Sequence, residues 1–181
     1  MKKVLLLGLT MFGVVALTGC EQINALLSGE KQYNYADFKA LLADRKLSFD
    51  VTKATASIDE DGVKSTIDYT YNPDTEAWDY TYFDEDFQVQ MNGTAYLDIV
   101  SDIKTCELAA GLVNSKVDNM FKFYAAKKAY RFTGLYETSN EKVNIEYKFG
   151  EDGLRKSTYI KNTDLNAVKS KETKESYVYS K

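Results

Sequence analysis

The side chains that could do covalent or acid–base chemistry in this chain are cysteines, serines, lysines and carboxylates, because the sequence contains no histidine. Histidine is the commonest general base, the usual partner of a nucleophilic serine or cysteine, and a common zinc ligand. With 27 acidic and 23 basic residues the net charge is −4, which is not the basic footprint of a nucleic-acid-binding protein. We therefore expect no catalytic residue, no metal or other cofactor, and no nucleic-acid partner.

Short acidic clusters occur at residues 59–61, 84–86 and 151–152. Carboxylates at this spacing could bind calcium or act as a general acid and base. Each cluster falls where the alternation of apolar residues requires a turn, and none has the ligand pattern of an EF-hand loop. We interpret them as solvated turns.

The spacing Ser-x-x-Lys, which penicillin-recognising enzymes use for their nucleophile, begins at Ser28, Ser101 and Ser139. A lysine-rich chain contains this spacing by chance, and no Lys-Thr-Gly follows. We therefore assign no nucleophilic role to Ser101.

The N-terminus has the features of an export signal. Two lysines precede an apolar run, residues 4–17, that is shorter than the roughly 20 residues of a membrane-spanning helix. Small residues then precede Cys20. This arrangement resembles the bacterial lipobox, in which the cysteine thiol receives diacylglycerol and a dedicated peptidase cleaves before it.

The lipobox resemblance implies residues 1–19 as a signal peptide and a mature chain that begins at lipidated Cys20; we interpret 20–33 as a lipidated tether, and the pattern of the remaining residues predicts a single β-rich globular domain over 34–181. Acyl chains on Cys20 would hold the protein at the extracytoplasmic side of the cell membrane or of an outer membrane, since each buried CH₂ contributes about 0.8 kcal/mol. Glu21, rather than aspartate, favours the outer membrane if the cell has one.

The first half of the globular region predicts one helix followed by a four-stranded meander. Asn34 is a favoured N-cap residue, and apolar residues recur at helical spacing over 35–46. The period then changes from 3.6 to 2, which is typical of half-buried strands separated by turn residues. We expect strands at residues 47–58, 63–72, 76–83 and 87–91, with Asn92-Gly93 ending the last one.

The second half predicts another helix and about five strands. A helical stripe over 94–114 consists of Tyr96, Ile99, Ile103, Cys106, Ala110 and Val113. Cys106 has no disulfide partner if Cys20 is lipidated, and its place on the stripe predicts burial. Strand patterns follow near residues 121–123, 130–132, 143–149, 154–161 and 177–179. We interpret the alternating lysines and glutamates of 169–175 as a solvated loop or edge.

These elements predict an α+β fold: a curved antiparallel sheet of about nine strands, forming an unclosed barrel, with two helices on its concave face. The element order resembles the LolA, LolB and LppX group of lipoprotein carriers. The segment EYKFGEDGLRKSTYIK, residues 146–161, is similar to charged hairpins common among such lipoproteins. Cystatin-like and lipocalin-like sheets share this general pattern.

Aromatic residues are the most unusual feature of the composition, with 14 Tyr, 9 Phe and 1 Trp. On strands they either fill a core or line a cavity for an acyl chain or another amphiphile. Strand parity places Trp78, Tyr80 and Tyr82 on one face, which we expect to lie under the 94–114 helix. The candidate ligand-binding residues are Trp78, Tyr80, Tyr82, Tyr69, Tyr71, Phe87, Met91, Tyr130, Phe132, Tyr147 and Phe149.

The sequence therefore predicts a membrane-anchored, extracytoplasmic lipoprotein without enzymatic activity that binds or carries a lipid or other amphiphile in an aromatic-lined cavity. The alternative is a surface interaction or structural lipoprotein with a filled core and a protein partner. A continuous apolar cavity of several hundred Å³ favours the first function, and a filled core favours the second.

Overall fold

Strands make up most of residues 29–83 and 89–181, which are the residues that the computed structural model describes. The helices are α1 (Tyr35–Arg45), α2 (Ile99–Leu112) and α3 (Val117–Met120). The strands are β1 (Lys31–Tyr33), β2 (Lys53–Glu60), β3 (Val63–Asn72), β4 (Ala77–Phe83), β5 (Val89–Ala95), β6 (Phe121–Ala125), β7 (Ala129–Glu137), β8 (Glu141–Gly150), β9 (Arg155–Asp164) and β10 (Lys169–Ser180).

All ten strands belong to one antiparallel sheet, in the order β1-β6-β7-β8-β9-β10-β2-β3-β4-β5. Each half of the chain forms a meander, and pairing of β10 with β2 joins the two meanders. The sheet is not closed into a barrel. The predicted fold class, a curved open antiparallel sheet with helices, is confirmed, and residues 32–181 form one compact unit.

Local turn and capping chemistry places the ends of the elements. The amide of Asp37 donates to Oδ1 of Asn34 at 2.8 Å, so the predicted N-cap of α1 is correct. In α2 the amides of Val100 and Ser101 donate to Oδ1 of Asp98 at 3.0 and 2.9 Å. Because Asp98 caps this helix, α2 begins later than the predicted residue 94.

The helical stripe of the sequence is correct in its middle and wrong at its ends. Ile103 and Cys106 are buried, as are Ile99 and Ala110, whereas Tyr96 and Val113 lie outside α2 and are 53% and 44% exposed. An amphipathic stripe continues to match apolar residues past a helix terminus, because its period carries no information about capping.

Two further expectations about the sheet need correction. Residues 169–175 are not a loop, because all of them belong to β10 and pair with β9; residues 173–175 pair with β2 as well, so only residues 169–172 lie on an edge. Asn92-Gly93 does not end a strand, because both residues pair with β4. A Cβ atom on Gly93 would lie 2.6 Å from the hydroxyl oxygen of Tyr80, so the Tyr80 ring covers this backbone and any side chain at residue 93 would have to displace it.

The first aromatic cluster lies between the two long helices and strands β6 to β8, on what is called below the helix-bearing face. Its buried members are Phe38, Leu42, Ile99, Ile103, Cys106, Phe121, Phe123, Ala125, Tyr130, Phe132 and Phe149. The ring of Phe38 in α1 lies 5.1 Å from that of Phe123, which lies 5.9 Å from that of Phe132. Both helices therefore pack on the same part of the sheet.

The second aromatic cluster lies on strands β2, β3, β4 and β10. Its buried members are Ala54, Ala56, Tyr69, Trp78, Leu97, Leu154 and Tyr177. Phe49 and Val51, in the segment between α1 and β2, pack against it. The expectation that the Trp78 face lies under the second helix is therefore wrong, because the helix and Trp78 belong to different clusters.

Candidate functional site

An apolar groove lies between the C-terminal end of α2, helix α3 and strands β6 to β8. Its volume is about 340 Å³. Its lining residues are Ala109, Leu112, Val113, Met120, Phe121, Gly134, Leu135, Tyr136, Val143 and Ile145. The groove adjoins the first aromatic cluster, to which Phe121 belongs and against which Ala109, Met120 and Ile145 pack.

Gly134 shapes the floor of the apolar groove. A Cβ atom at this position would lie 2.7 Å from two ring carbons of Phe121 and 2.8 Å from Cγ1 of Ile145. The glycine therefore lets the Phe121 ring lie flat against the backbone of β7. Any larger residue would displace the ring, because its neighbours leave no room for a side chain.

The helical wall of the groove exposes large apolar side chains. Leu112, which lines the groove, is 88% exposed, and Leu108, one turn earlier in α2 and outside the groove lining, is 70% exposed. Clustered exposed apolar residues at the rim of a concave surface are a common mark of a ligand or partner site. The sequence patterns did not predict this wall. Leu112 and Val113 could have indicated it, because they are adjacent apolar residues at the end of the helix.

A buried ion pair joins α2 to strand β9 beside the first aromatic cluster. Nε of Arg155 donates to Oδ2 of Asp102 at 3.1 Å, and Nη2 donates to Oδ1 of the same carboxylate. The two side chains are only 14% and 12% exposed. Arg155 is also within 4.9 Å of the Tyr147 ring centroid, which adds a cation–π contact.

The ion pair continues into a polar network that reaches strand β10. Nη1 of Arg155 donates to the Tyr177 hydroxyl at 3.4 Å, and that hydroxyl donates to Oε2 of Glu175 at 2.5 Å. The Tyr179 hydroxyl donates to the backbone carbonyl of Arg155 at 2.6 Å. Through these bonds one side chain from β9 links α2 to the second aromatic cluster.

Burial dominates the electrostatics of this network. It raises the pKa of Asp102 to about 6, against the opposing charge of Arg155. It also raises the pKa of Tyr177 and Tyr69, and the neighbouring charge of Glu175 raises them further. One feature of the sequence indicates that this carboxylate is buried: Asp102 lies three residues after Ile99 and four before Cys106, on the buried face of the helix.

Four of the predicted ligand-binding aromatics belong to the first cluster. Tyr130, Phe132 and Phe149 are at most 2% exposed, and Tyr147 is partly buried against them. Phe132 and Phe149 stack at 5.6 Å between centroids, and Tyr147 lies 4.9 Å from Phe132. Their rings fill the space under α1 and α2, and they do not line the apolar groove.

The predicted aromatics of β3 and β4 belong to the second cluster. Trp78 is 1% exposed, with ring centroids of Tyr71, Tyr179 and Phe49 at 5.3, 5.9 and 6.0 Å. Tyr69 is buried and Tyr80 partly buried, with their centroids 6.0 Å apart. The structure therefore places the candidate residues in two separate packed groups.

The remaining predicted site residues are less fully described. Tyr82 is half-buried on β4 and pairs with Met91 of β5, of which only the backbone is described. Phe87 and the predicted lipidation site Cys20 lie outside the described residues.

Two of the acidic turns, and Ser101 of the Ser-x-x-Lys spacings, have structural partners. Oδ1 of Asp59 accepts from the amide of Gly62 at 2.9 Å, and Oδ1 of Asp152 accepts from that of Leu154 at 3.0 Å. The Ser101 hydroxyl donates to Asp98 in the α2 cap at 2.8 Å. Within residues 29–83 and 89–181, no group of three or more acidic or cysteine side chains is arranged to hold a metal ion.

Cys106 is 3% exposed in the first aromatic cluster, as the helical stripe predicts. Burial raises the pKa of its thiol to about 12, so the nucleophilic thiolate is scarce at neutral pH. In the described part of the chain, no helix is both long and apolar enough to cross a membrane. No family model, curated protein or solved structure matches this chain.

Proposed function

We propose that this protein is a membrane-anchored, extracytoplasmic lipoprotein without enzymatic activity, and that it binds the apolar chain of an amphiphile in the apolar groove. The observation that carries the proposal is the groove itself. It is an open apolar space of about 340 Å³ beside an otherwise packed core. Ligand pockets typically measure about 300–1,000 Å³, so the groove suits a single chain.

The exposed side chains at the groove support binding. Leaving Leu112 88% exposed in a monomer forfeits the free energy of burying it, about 1.5–3 kcal/mol for a full leucine side chain. A bound acyl chain would recover part of that energy. Because side chains fill both aromatic clusters, the groove is a better site for the acyl chain than the Trp78 face is.

A neutral fluorescent probe, N-phenyl-1-naphthylamine, tests the groove. We expect saturable binding by the wild type, displaced by dodecanol. Ala109→Trp fills the groove from α2 and should weaken binding about tenfold, as expected for losing some 60 Å² of apolar contact. Ala167→Trp, in the exposed turn between β9 and β10, is the matched control and should bind as the wild type does.

Two results would count against this function. Unchanged probe affinity in Ala109→Trp, with the fold intact by circular dichroism, would remove the groove as the site. A saturable shift of Trp78 emission on adding dodecanol would place the ligand at the second aromatic cluster instead, where the aromatic pattern of the sequence suggested it.

A surface interaction or structural lipoprotein is the second candidate function. The packed state of Trp78 and Phe132, each 1% exposed, favours it, because a filled aromatic core needs no ligand. In that case the exposed leucines of α2 would contact a protein partner. Absence of any saturable amphiphile binding to the wild type would favour this candidate.

The lipid anchor is tested separately at Cys20. Cys20→Ser should leave an uncut precursor without acyl mass, because only the thiol accepts diacylglycerol. Intact mass of the membrane fraction measures both processing and acylation. A processed, acylated Cys20→Ser protein would show that the lipobox interpretation is wrong, and Cys106→Ser provides the control in which acylation persists.

A further inference from the structure

A row of side chains crosses the helix-bearing face of the sheet, one residue row away from the apolar groove. Cross-strand register places Tyr147, Thr158, Glu175, Ile58 and Ser65 opposite one another on β8, β9, β10, β2 and β3. Directly opposed residues of an antiparallel pair share a face. The next row begins with Ile145, which belongs to the groove floor, paired with Ile160. The row that runs from Tyr147 to Ser65 is called the polar row below.

Thr158, the second residue of the polar row, is an unpartnered polar group. It is 3% exposed, and its Oγ1 has no hydrogen-bond partner among the described residues. Buried hydroxyl groups almost always form a hydrogen bond, so an orphan calls for an explanation. A ligand group beside Thr158 would supply the missing bond.

Glu175 gives the polar row a negative charge. Its carboxylate accepts from the Tyr177 hydroxyl at 2.5 Å, but has no ion-pair partner within residues 29–83 and 89–181. The nearby guanidinium of Arg155 is already paired in bidentate fashion with Asp102. The local sum of these three charges is therefore negative.

Solvent-accessible space reaches Glu175. The residue lines a cavity of about 770 Å³ at the β2–β3 end of the sheet, together with its row neighbours Ile58 and Ser65; Lys64 and Lys174 also line this cavity, but strand alternation places their side chains on the opposite face of the sheet. The polar row thus extends from this cavity on one side to Tyr147, beside the groove floor, on the other. From Ile145 on the groove floor, Thr158 is the diagonal neighbour, about 7–8 Å away, and Glu175 lies one strand spacing, about 5 Å, beyond it.

We propose that the polar row binds the polar end of the amphiphile and selects a head group that donates hydrogen bonds and carries positive charge, such as an alkylammonium. Glu175 is the counter-charge and supplies the selection, whereas the Thr158 hydroxyl can donate or accept and adds a hydrogen bond to any polar head group. A carboxylate head would meet repulsion from Glu175 instead. This assignment rests on the proposed function and adds the ligand class to it.

Three ligands with the same chain test the selection: dodecylamine, dodecanol and dodecanoate, each displacing N-phenyl-1-naphthylamine at submicellar concentration and neutral pH. Dodecylamine should displace the probe at about tenfold lower concentration than dodecanoate, the value of one charge-assisted hydrogen bond. Glu175→Gln should abolish that preference. Thr158→Val should weaken all three ligands alike, because the lost hydroxyl can donate as well as accept.

Glu172→Gln is the matched control, because it removes the same charge from the same strand. Glu172 lies three residues from Glu175, hence on the opposite face, and is paired with Lys161 at 3.3 Å. It should leave the preference unchanged. Equal displacement by all three ligands, or a preference that survives Glu175→Gln, would overturn the head-group assignment and leave the groove standing. Failure of the wild type to bind the probe would overturn both.

Discussion

Arg155→Met is expected to lower the free energy of unfolding by about 3 to 5 kcal/mol at neutral pH, because it leaves the Asp102 carboxylate buried without its partner. The pair is 14% and 12% exposed, so water cannot replace the lost contact. The guanidinium also contacts the Tyr177 hydroxyl and the Tyr147 ring, and both contacts disappear with it. Urea unfolding followed by circular dichroism measures the change.

A double variant and a surface control separate the ion pair from general damage. Asp102→Leu combined with Arg155→Met removes both charges and should be more stable than Arg155→Met alone, since no uncompensated charge remains. Lys161→Met breaks an ion pair that is 40% and 36% exposed and should cost less than about 1 kcal/mol. A double variant less stable than Arg155→Met would show that the pair is not the source of the loss.

The same pair predicts a pH dependence with a definite sign. Burial raises the pKa of Asp102 from 3.8 in the unfolded chain to about 6 in the fold, so the folded state binds this proton more tightly. The contribution of Asp102 to stability therefore falls as the pH rises through that window. Removing Arg155 removes the charge that opposes protonation, so Arg155→Met should be less damaging at pH 5 than at pH 7.

Trp78→Ala is expected to lower the free energy of unfolding by about 3 to 5 kcal/mol, as large-to-small changes in packed cores do. The indole is 1% exposed and has three aromatic neighbours within 6.0 Å between centroids. The segment containing Phe49 and the sheet meet at this ring, so no neighbouring element can collapse into the space. Thermal and urea unfolding both report the loss.

Val178→Ala provides the control for Trp78→Ala, since Val178 is 72% exposed on β10 in the same region of the sheet. It should change stability by less than about 0.5 kcal/mol. A cost below about 1 kcal/mol for Trp78→Ala would mean that the second aromatic cluster is loosely packed. The second aromatic cluster would then again be a candidate ligand-binding cavity.

Local chemistry made several elements of this fold predictable from the residues. Asn34 accepts the amide three residues later, so the start of α1 follows from a single side chain. The β2–β3 turn at Asp61-Gly62 and the β3–β4 turn after Asn72 occur where the alternation of apolar residues is interrupted. Each of these signals acts over a few residues, which is why it can be recognised without the rest of the chain.

The wrong expectations share a non-local cause. Residues 169–175 look like a solvated loop, but pairing of all of them with β9, and of residues 173–175 with β2 more than a hundred residues earlier, makes them part of the sheet. Trp78 was expected beneath the second helix, but the segment around Phe49 covers it. Neither partner can be recognised from the alternation of charges or rings within the strand itself.

By itself, the sequence determined the two long helices, the approximate positions of nine strands, the burial of Cys106 and the parity that places Trp78 and Tyr80 on one face. These follow from hydrophobic period and turn chemistry, which are properties of neighbouring residues. Only the tertiary structure decided that the aromatics pack into two separate clusters, that Asp102 meets Arg155, and that the end of α2 leaves an open groove over Gly134. The reason is that packing depends on which distant strands pair and how much volume their side chains occupy, and no local pattern encodes either quantity.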